Sequence, residues 1–279
     1  MSNNLKYLKE DFYNSVYFEN KFKDNIKIID EKGTEKLSEI FLKKLNNLLS
    51  TNYTIEEIEN LHRKIDEDYK IYDQIFAINK ISTFFYDMPD SFIQEYFKIL
   101  KLKVRSVIGE DFYFQKNPTL RLQMPHKTAE PMYPFYHSDI QLGHPPYEIN
   151  LWIPLNYPSS NEGYGFSISS LKDSIEIFEK YNFDVDKMSK DGRKDIPNLL
   201  DPISKLQNFE YGQAVLFDTR CLHSGKIMSD HTRVSIDVRI TPVKLFKKFN
   251  HEYQGTGRKK TIFKPGGGYN INSIDNIEL

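Results

Sequence analysis

Only one cysteine, Cys221, occurs in 279 residues, so no internal disulfide can form. An excess of one charge is missing as well. Thirty-eight Lys and Arg oppose 39 Asp and Glu, a formal net charge of −1, and this removes the electrostatic signature of a protein that binds nucleic acid or an anionic membrane. No apolar run approaches the length of a membrane span, and no apolar signal region follows Met1-Ser2-Asn3-Asn4. Together these absences give the expectation of a cytoplasmic protein with neither nucleic acid nor membrane as partner. Cys221 reads as a small packing residue rather than a nucleophile.

What the chain does have is apolar and aromatic content, 39% and 14%, enough for one large domain with a helical extension. Residues 1 to about 105 read mainly as helix. Leu37, Ile40, Phe41, Leu45, Leu48 and Leu49 recur at helical spacing after Thr34, a candidate N-cap. Thr54-Ile55-Glu56-Glu57 fits a capping box ahead of Ile58, Leu61 and Ile65, a series that could run on to Phe85, and Asp90 can cap a third helix through Phe92, Ile93, Tyr96, Phe97 and Leu100. Such stripes pack rather than catalyse. His62, within one of them, reads as solvent-facing or satisfied by a partner.

From Val104 the period moves towards two. Residues 111–115 and 119–124 read as strands, with Arg121 and Gln123 on one face; Ile149 to Leu155 is another, with Asn150 and Trp152 sharing a face. Residues 125–135, with three prolines, and 141–146 read as loops. Gly163 to Ser169 is strand-like, and Ser170 to Tyr181 fits a short amphipathic helix. Residues 182–206 look polar and irregular, the pattern of a cap. Glu210 to Asp218 reads as a turn and a buried strand. Val234 to Ile240 then alternates, with Arg233, Ser235, Asp237 and Arg239 on one face and Val234, Ile236, Val238 and Ile240 on the other. A charged interior face is costly unless it binds something. Gly255 to Lys260 and Gly266-Gly267-Gly268 lack the strand-to-helix context of a phosphate loop and read as turns.

The chemistry centres on His137-Ser138-Asp139. On a strand, two residues one position apart aim the same way, so His137 and Asp139 form a two-toothed ligand for a divalent first-row metal. His223 completes a two-histidine, one-carboxylate face, and Arg233-Val234-Ser235 follows it. The order His-x-Asp, His, Arg-x-Ser, over about residues 119 to 241, resembles the iron(II) and 2-oxoglutarate-dependent dioxygenases. The phytanoyl-CoA dioxygenase relatives share the general plan, and the run His-Ser-Asp, Gly-His, Glu-Ile-Asn-Leu-Trp-Ile-Pro-Leu looks like the streptomycin-biosynthesis and carbohydrate-cluster branch.

That resemblance implies an α+β chain with a double-stranded β-helix, or jelly-roll, core. With the helical reading of the first third, the chain divides into a helical N-terminal layer over 1–105, the core over 106–245 with the insertion 170–206, and a tail over 246–279. The resemblance also implies Fe(II) on His137, Asp139 and His223, with 2-oxoglutarate and O2 as cosubstrates. Oxidation of a small molecule, in this branch a sugar, nucleotide-sugar or aminocyclitol, would accompany conversion of 2-oxoglutarate to succinate and carbon dioxide. A guanidinium suits the far carboxylate of 2-oxoglutarate. Arg233 with Ser235 matches that role; Arg239 is the second candidate, or a partner for an anionic substrate. Arg121, Gln123 and Asn150 are either groups of the cosubstrate pocket or a solvated face. Two other classes use the same residues: a β-barrel that binds a small molecule without turnover, and a zinc hydrolase. His126, His144, His231 and His251 have no partner at ligand spacing.

Overall fold

A computed structural model describes residues 4–30, 33–70, 79–125, 136–156, 166–207, 209–225, 231–249, 251–256 and 260–279. The loop expected over 125–135 falls almost wholly outside the described residues, as does His126. No described helix is long and apolar enough to cross a membrane.

The strands are β1 (Ile26–Ile29), β2 (Phe112–Phe114), β3 (Thr119–Gln123), β4 (Ile149–Pro154), β5 (Phe166–Ile168), β6 (Lys205–Gln207), β7 (Ala214–Asp218), β8 (His223–Ser224) and β9 (Arg233–Pro242). Six form one sheet in the order β1-β7-β4-β9-β2, with β3 also on β9, and β6-β5-β8 form a second. All pairings are antiparallel. β9 is the axis of the large sheet. β4 lies along one edge, while β3 pairs with its first half and β2 with its last residues.

Alternation then separates the two faces of this sheet. Val234, Ile236, Val238 and Ile240 of β9 join Leu120, Leu122, Ile149, Leu151, Ile153 and Leu216 in one apolar cluster. The same cluster contains Leu37, Phe41 and Leu45 of the Glu35–Leu49 helix and Phe92, Tyr96 and Ile99 of the Asp90–Ile99 helix. The opposite face of β4 and β7 sends Trp152, Val215 and Phe217 against Phe166 and Ile168 of the small sheet, so the two sheets meet through aromatic rings.

Several local expectations change in detail. Thr34 sits at the N-cap position of its helix, but its hydroxyl makes no capping bond. Only one half of the box at Thr54 forms, the Thr54 N–H donating to Glu57 Oε2 at 2.9 Å. The series after Ile58 is broken into short pieces, Glu56–Asn60, Leu61–Lys64, Glu67–Lys70 and Lys80–Phe84, rather than one long helix. Pro89 is the N-cap of the third helix and Asp90 its first residue; beyond Ile99 the chain widens into a π turn, Leu100–Val104, and ends at Ile108 with Gly109 at φ +71°. His62 does have a partner, since its Nδ1 lies 3.0 Å from Thr232 Oγ1. β1 brings part of the first third into the sheet against β7.

The largest departure is at 182–206. Instead of an irregular cap, Val185–Leu200 is a helix, capped by Asp184, whose side chain accepts from the Lys187 N–H at 2.9 Å. Gly192 and Pro197 conceal it in the sequence, both being poor interior helix residues. Its buried stripe is Val185, Met188, Gly192, Ile196 and Leu200, and a Cβ on Gly192 would lie 2.6 Å from Ile196 Cδ1, so that side chain would have to shift. This stripe packs with Phe178 of the Leu171–Lys180 helix and with Tyr136 and Ile140, residues that flank the proposed metal ligands. The helix thus braces the His137 region from behind.

The chain after Phe249 also folds back. Tyr269 is buried and bridges to Gln115 beside β2, with the glycines at 266–268 forming the turn before it.

Truncating Ile196 to Ala is expected to cost about 2–5 kcal/mol, because a fully buried side chain would leave a cavity in this brace. Urea unfolding monitored by circular dichroism measures it, and an unchanged midpoint would mean that the stripe does not bear on the fold.

Candidate metal centre

His137 lies in a short antiparallel bridge. The His137 N–H donates to the His223 carbonyl at 3.0 Å and the His223 N–H to the His137 carbonyl at 2.8 Å, which brings the two rings to 4.5 Å between centroids. Asp139 is not the second tooth of a strand, as its spacing from His137 suggested. It opens a 3-10 turn, Asp139–Leu142, with Ser138 as its N-cap. The Ser138 hydroxyl accepts from the Ile140 N–H and donates to the Thr219 carbonyl at 2.7 Å, while Gln141 Oε1 accepts from the Ser138 N–H at 2.9 Å. This capping box fixes the turn, and with it the carboxylate.

His137, Asp139 and His223 each present one ligand atom, and all three atoms lie within 4.8 Å of one another. The His223 Nδ1 lies 3.1 Å from the Cys221 carbonyl. A carbonyl can only accept, so Nδ1 carries the proton and Nε2 keeps its lone pair for a metal. Burial pushes the pKa of His223 down, against the pull of Asp139, so the ring is neutral at pH 7. Burial alone would raise Asp139, but Arg239 first, then His144, His223 and His137, hold its carboxyl well below the usual carboxylate range. The donor set at neutral pH therefore includes the Asp139 carboxylate and the neutral imidazole of His223, with His137 as the third group.

Arg239 donates from Nε at 3.0 Å and from Nη2 at 2.9 Å to a single oxygen, Asp139 Oδ2. The other oxygen, Oδ1, is buried and has no hydrogen-bond partner among the described residues. An orphaned carboxylate oxygen beside two imidazoles fits a divalent cation, which would satisfy it.

The cleft in front of His137 and His223, its open mouth included, holds about 520 Å³ of empty space. Its walls bring together the polar residues picked out by the sequence alternation: Arg121 and Gln123 of β3, Asn150 of β4, and Arg233, Ser235 and Arg239 of β9, with Asp237 beside them. The register explains the meeting, because Gln123 faces Arg233 and Arg121 faces Ser235 across one edge of β9, while Asn150 faces Arg239 across the other. Arg233 is 5% exposed; its Nη2 donates to Gln123 Oε1 and, at 3.0 Å, to the Gly225 carbonyl, and its guanidinium lies 5.9 Å from the Trp152 ring centre. Arg121 Nε donates to Asp237 Oδ2 at 2.8 Å. Both ends of the Asn150 amide and the Ser235 hydroxyl are buried without a hydrogen-bond partner among the described residues. Arg239, the second candidate for the 2-oxoglutarate carboxylate, also lines the cleft, and its Nε and Nη2 both donate to Asp139.

Some site features were not anticipated. Phe166 and Phe217 line the cleft, and Phe217 packs edge-on to His223 at 5.0 Å. The alternation of Phe217 with Val215 was the available signal for one of them. His144, set aside for want of a partner, has its Nδ1 2.7 Å from Oε2 of the buried Glu148, whose other oxygen accepts from the Tyr269 hydroxyl. The His144 N–H in turn donates to the Asp139 carbonyl at 3.2 Å. Burial pushes the Cys221 thiol up, in keeping with a packing residue.

No family model matches the chain, and neither does any curated protein. Solved structures do resemble it. EctD from S. alaskensis with bound Fe has 12% identity, covers 83% of this chain and 76% of its own, and superposes with a TM-score of 0.47. The non-heme alpha ketoglutarate dependent carbocyclase SnoK from nogalamycin biosynthesis has 12% identity, coverages of 87% and 85%, and a TM-score of 0.45. The corresponding epimerase SnoN has 10% identity, coverages of 84% and 83%, and a TM-score of 0.43. At this distance the likeness assigns no reaction, and function rests on the residues of the site.

Replacing Asp139 by Ala should reduce iron(II) binding to background, because two neutral imidazoles alone hold ferrous iron weakly. Anaerobic calorimetric titration checks this, and wild-type affinity in a folded variant would remove Asp139 from the ligand set.

Proposed function

We propose that this chain is a non-heme iron(II) and 2-oxoglutarate-dependent oxygenase that oxidises a small molecule. One observation carries the proposal: two imidazoles and a carboxylate with an orphaned oxygen converge within 4.8 Å at the end of a cleft that also holds a buried arginine, Arg233. His137, Asp139 and His223 would hold the iron. With 2-oxoglutarate and O2 bound there, the centre supplies oxidative decarboxylation to succinate and carbon dioxide, coupled to oxidation of the substrate.

The protein's own groups do the rest. Arg233, its guanidinium plane fixed by Gln123, the Gly225 carbonyl and the Trp152 ring, presents a buried positive charge to the far carboxylate, with the Ser235 hydroxyl beside it. Asn150 offers one donor and one acceptor to the cosubstrate from an otherwise apolar wall. Trp152, Phe166 and Phe217 supply an apolar aromatic surface, and Arg121 and Asp237 supply charge near it. That combination suits a polyhydroxylated ring, a sugar, nucleotide-sugar or aminocyclitol, whose faces are apolar and whose edges bear hydroxyl or amino groups.

The proposal extends to architecture. The two antiparallel sheets with the cleft between them are taken as the halves of a double-stranded β-helix spanning 106–245, with residues 1–105 as a helical layer, 170–206 as an insertion and 246–279 as the tail. A reducing cytoplasm is the proposed setting, consistent with one buried, unpaired cysteine.

Anaerobic loading with iron(II) and 2-oxoglutarate, followed by exposure to oxygen, tests the activity. Iron-dependent succinate is expected, rising when the true substrate is supplied from a panel of sugars, nucleotide-sugars and aminocyclitols. Metal binding with no succinate across the panel would point to a binding protein, and zinc-dependent hydrolysis to a hydrolase. In the same assay Arg233→Ala should weaken 2-oxoglutarate binding by roughly 2–5 kcal/mol, the range for losing one partner of a buried charged pair. Unchanged 2-oxoglutarate affinity would take that role away from Arg233.

A further inference from the structure

Arg239 is 7% exposed and its root cannot swing, because β9 is paired with β4 at Asn150 and the Arg239 carbonyl accepts from the Gln115 N–H at 2.8 Å on the other side. Asp139 is equally fixed, through the Ser138 cap and its bond to the Thr219 carbonyl. Between these rigid anchors both donated hydrogen bonds fall on one oxygen of the carboxylate, Oδ2, and leave Oδ1 bare.

A carboxylate can bind a divalent ion through one oxygen or chelate it through both. On a three-ligand face the difference matters. Chelation would take a further coordination position, and the open positions opposite the face are those that a two-pronged cosubstrate and oxygen require. An oxygen that already accepts two N–H bonds from a guanidinium has its lone pairs engaged and lies on the side away from the bare one.

We infer that Arg239 is a positioning residue that restricts Asp139 to ligation through a single oxygen and so keeps a coordination position open. This rests on the metal reading of His137, Asp139 and His223. Asp237, two positions earlier on the same face of β9, is held by Arg121 at 2.8 Å, so Arg239 is not drawn off Asp139.

Cobalt(II), a redox-stable probe whose visible spectrum reports coordination number, tests the assignment in the full-length protein. Wild type, His223→Ala, Arg239→Gln and Arg239→Lys are titrated with cobalt(II), then, at saturating metal, with 2-oxoglutarate; circular dichroism establishes folding. The lysine variant keeps the buried charge and guards against loss of fold in the glutamine variant. It cannot place two fixed N–H groups on one oxygen, so it is expected to fail in the same sense.

Both Arg239 variants should show an altered cobalt spectrum before 2-oxoglutarate is added and an apparent 2-oxoglutarate affinity about 10–100-fold weaker than wild type, the usual size of such outer-sphere effects. A folded variant with the wild-type spectrum and wild-type 2-oxoglutarate response overturns the inference. So does one with a wild-type spectrum and weakened 2-oxoglutarate binding, which would make Arg239 a direct cosubstrate contact. If wild type binds no cobalt, or His223→Ala binds it as tightly as wild type, the metal reading itself falls and Arg239 with it.

Discussion

The strict two-residue period of β9, locked by neighbours on both edges, is the constraint on which the molecule depends. With β4 on one side and β2 and β3 on the other, the strand can neither slip nor rotate without moving a whole row of side chains to the wrong face. One row, Val234, Ile236, Val238 and Ile240, is wholly buried against the helices. The other row, Arg233, Ser235, Asp237 and Arg239, is thereby obliged to face the cleft. Apolar packing on one side of a sheet thus sets the positions of charged groups on the other.

Charges held in this way need partners, since an unpaired buried ion is far more costly than a paired one. The strand solves the problem by alternation: Asp237 meets Arg121 from β3, and Arg239 meets Asp139 from the turn after His137. The second pair does more than neutralise. It ties the metal-ligand turn to the centre of the sheet, while the His137–His223 bridge ties the two histidines to each other and the Val185–Leu200 helix backs the same region through Ile140. The His144–Glu148–Tyr269 chain adds a further support, joining the folded-back tail to the backbone of Asp139.

Much of this was legible in the sequence where a period was unbroken. The Glu35–Leu49 and Asp90–Ile99 helices, the strands at 119–123 and 149–154, and both faces of β9 follow directly from spacing, and that spacing gathers Arg121, Gln123, Asn150, Arg233 and Ser235 into one cleft. Two kinds of feature were hidden. Local hydrogen bonding overrode pattern at Asp139, where the Ser138 cap converts an expected strand into a turn, and tertiary packing overrode propensity at Gly192, a residue that usually weakens a helix but here lies in the buried stripe. Pairings distant in sequence were hidden too. Nothing local ties Arg239 to Asp139, or Glu148 to Tyr269, and only the fold reveals these pairs.

The most direct measurement is a crystal structure of the protein loaded anaerobically with iron(II) and 2-oxoglutarate. Iron should bind His137, His223 and one oxygen of Asp139, with Arg239 still on the other oxygen and the far carboxylate of 2-oxoglutarate on Arg233. Iron held elsewhere, or a cosubstrate lying away from Arg233 in a fully loaded crystal, would contradict the assignment of this cleft as an oxygenase site.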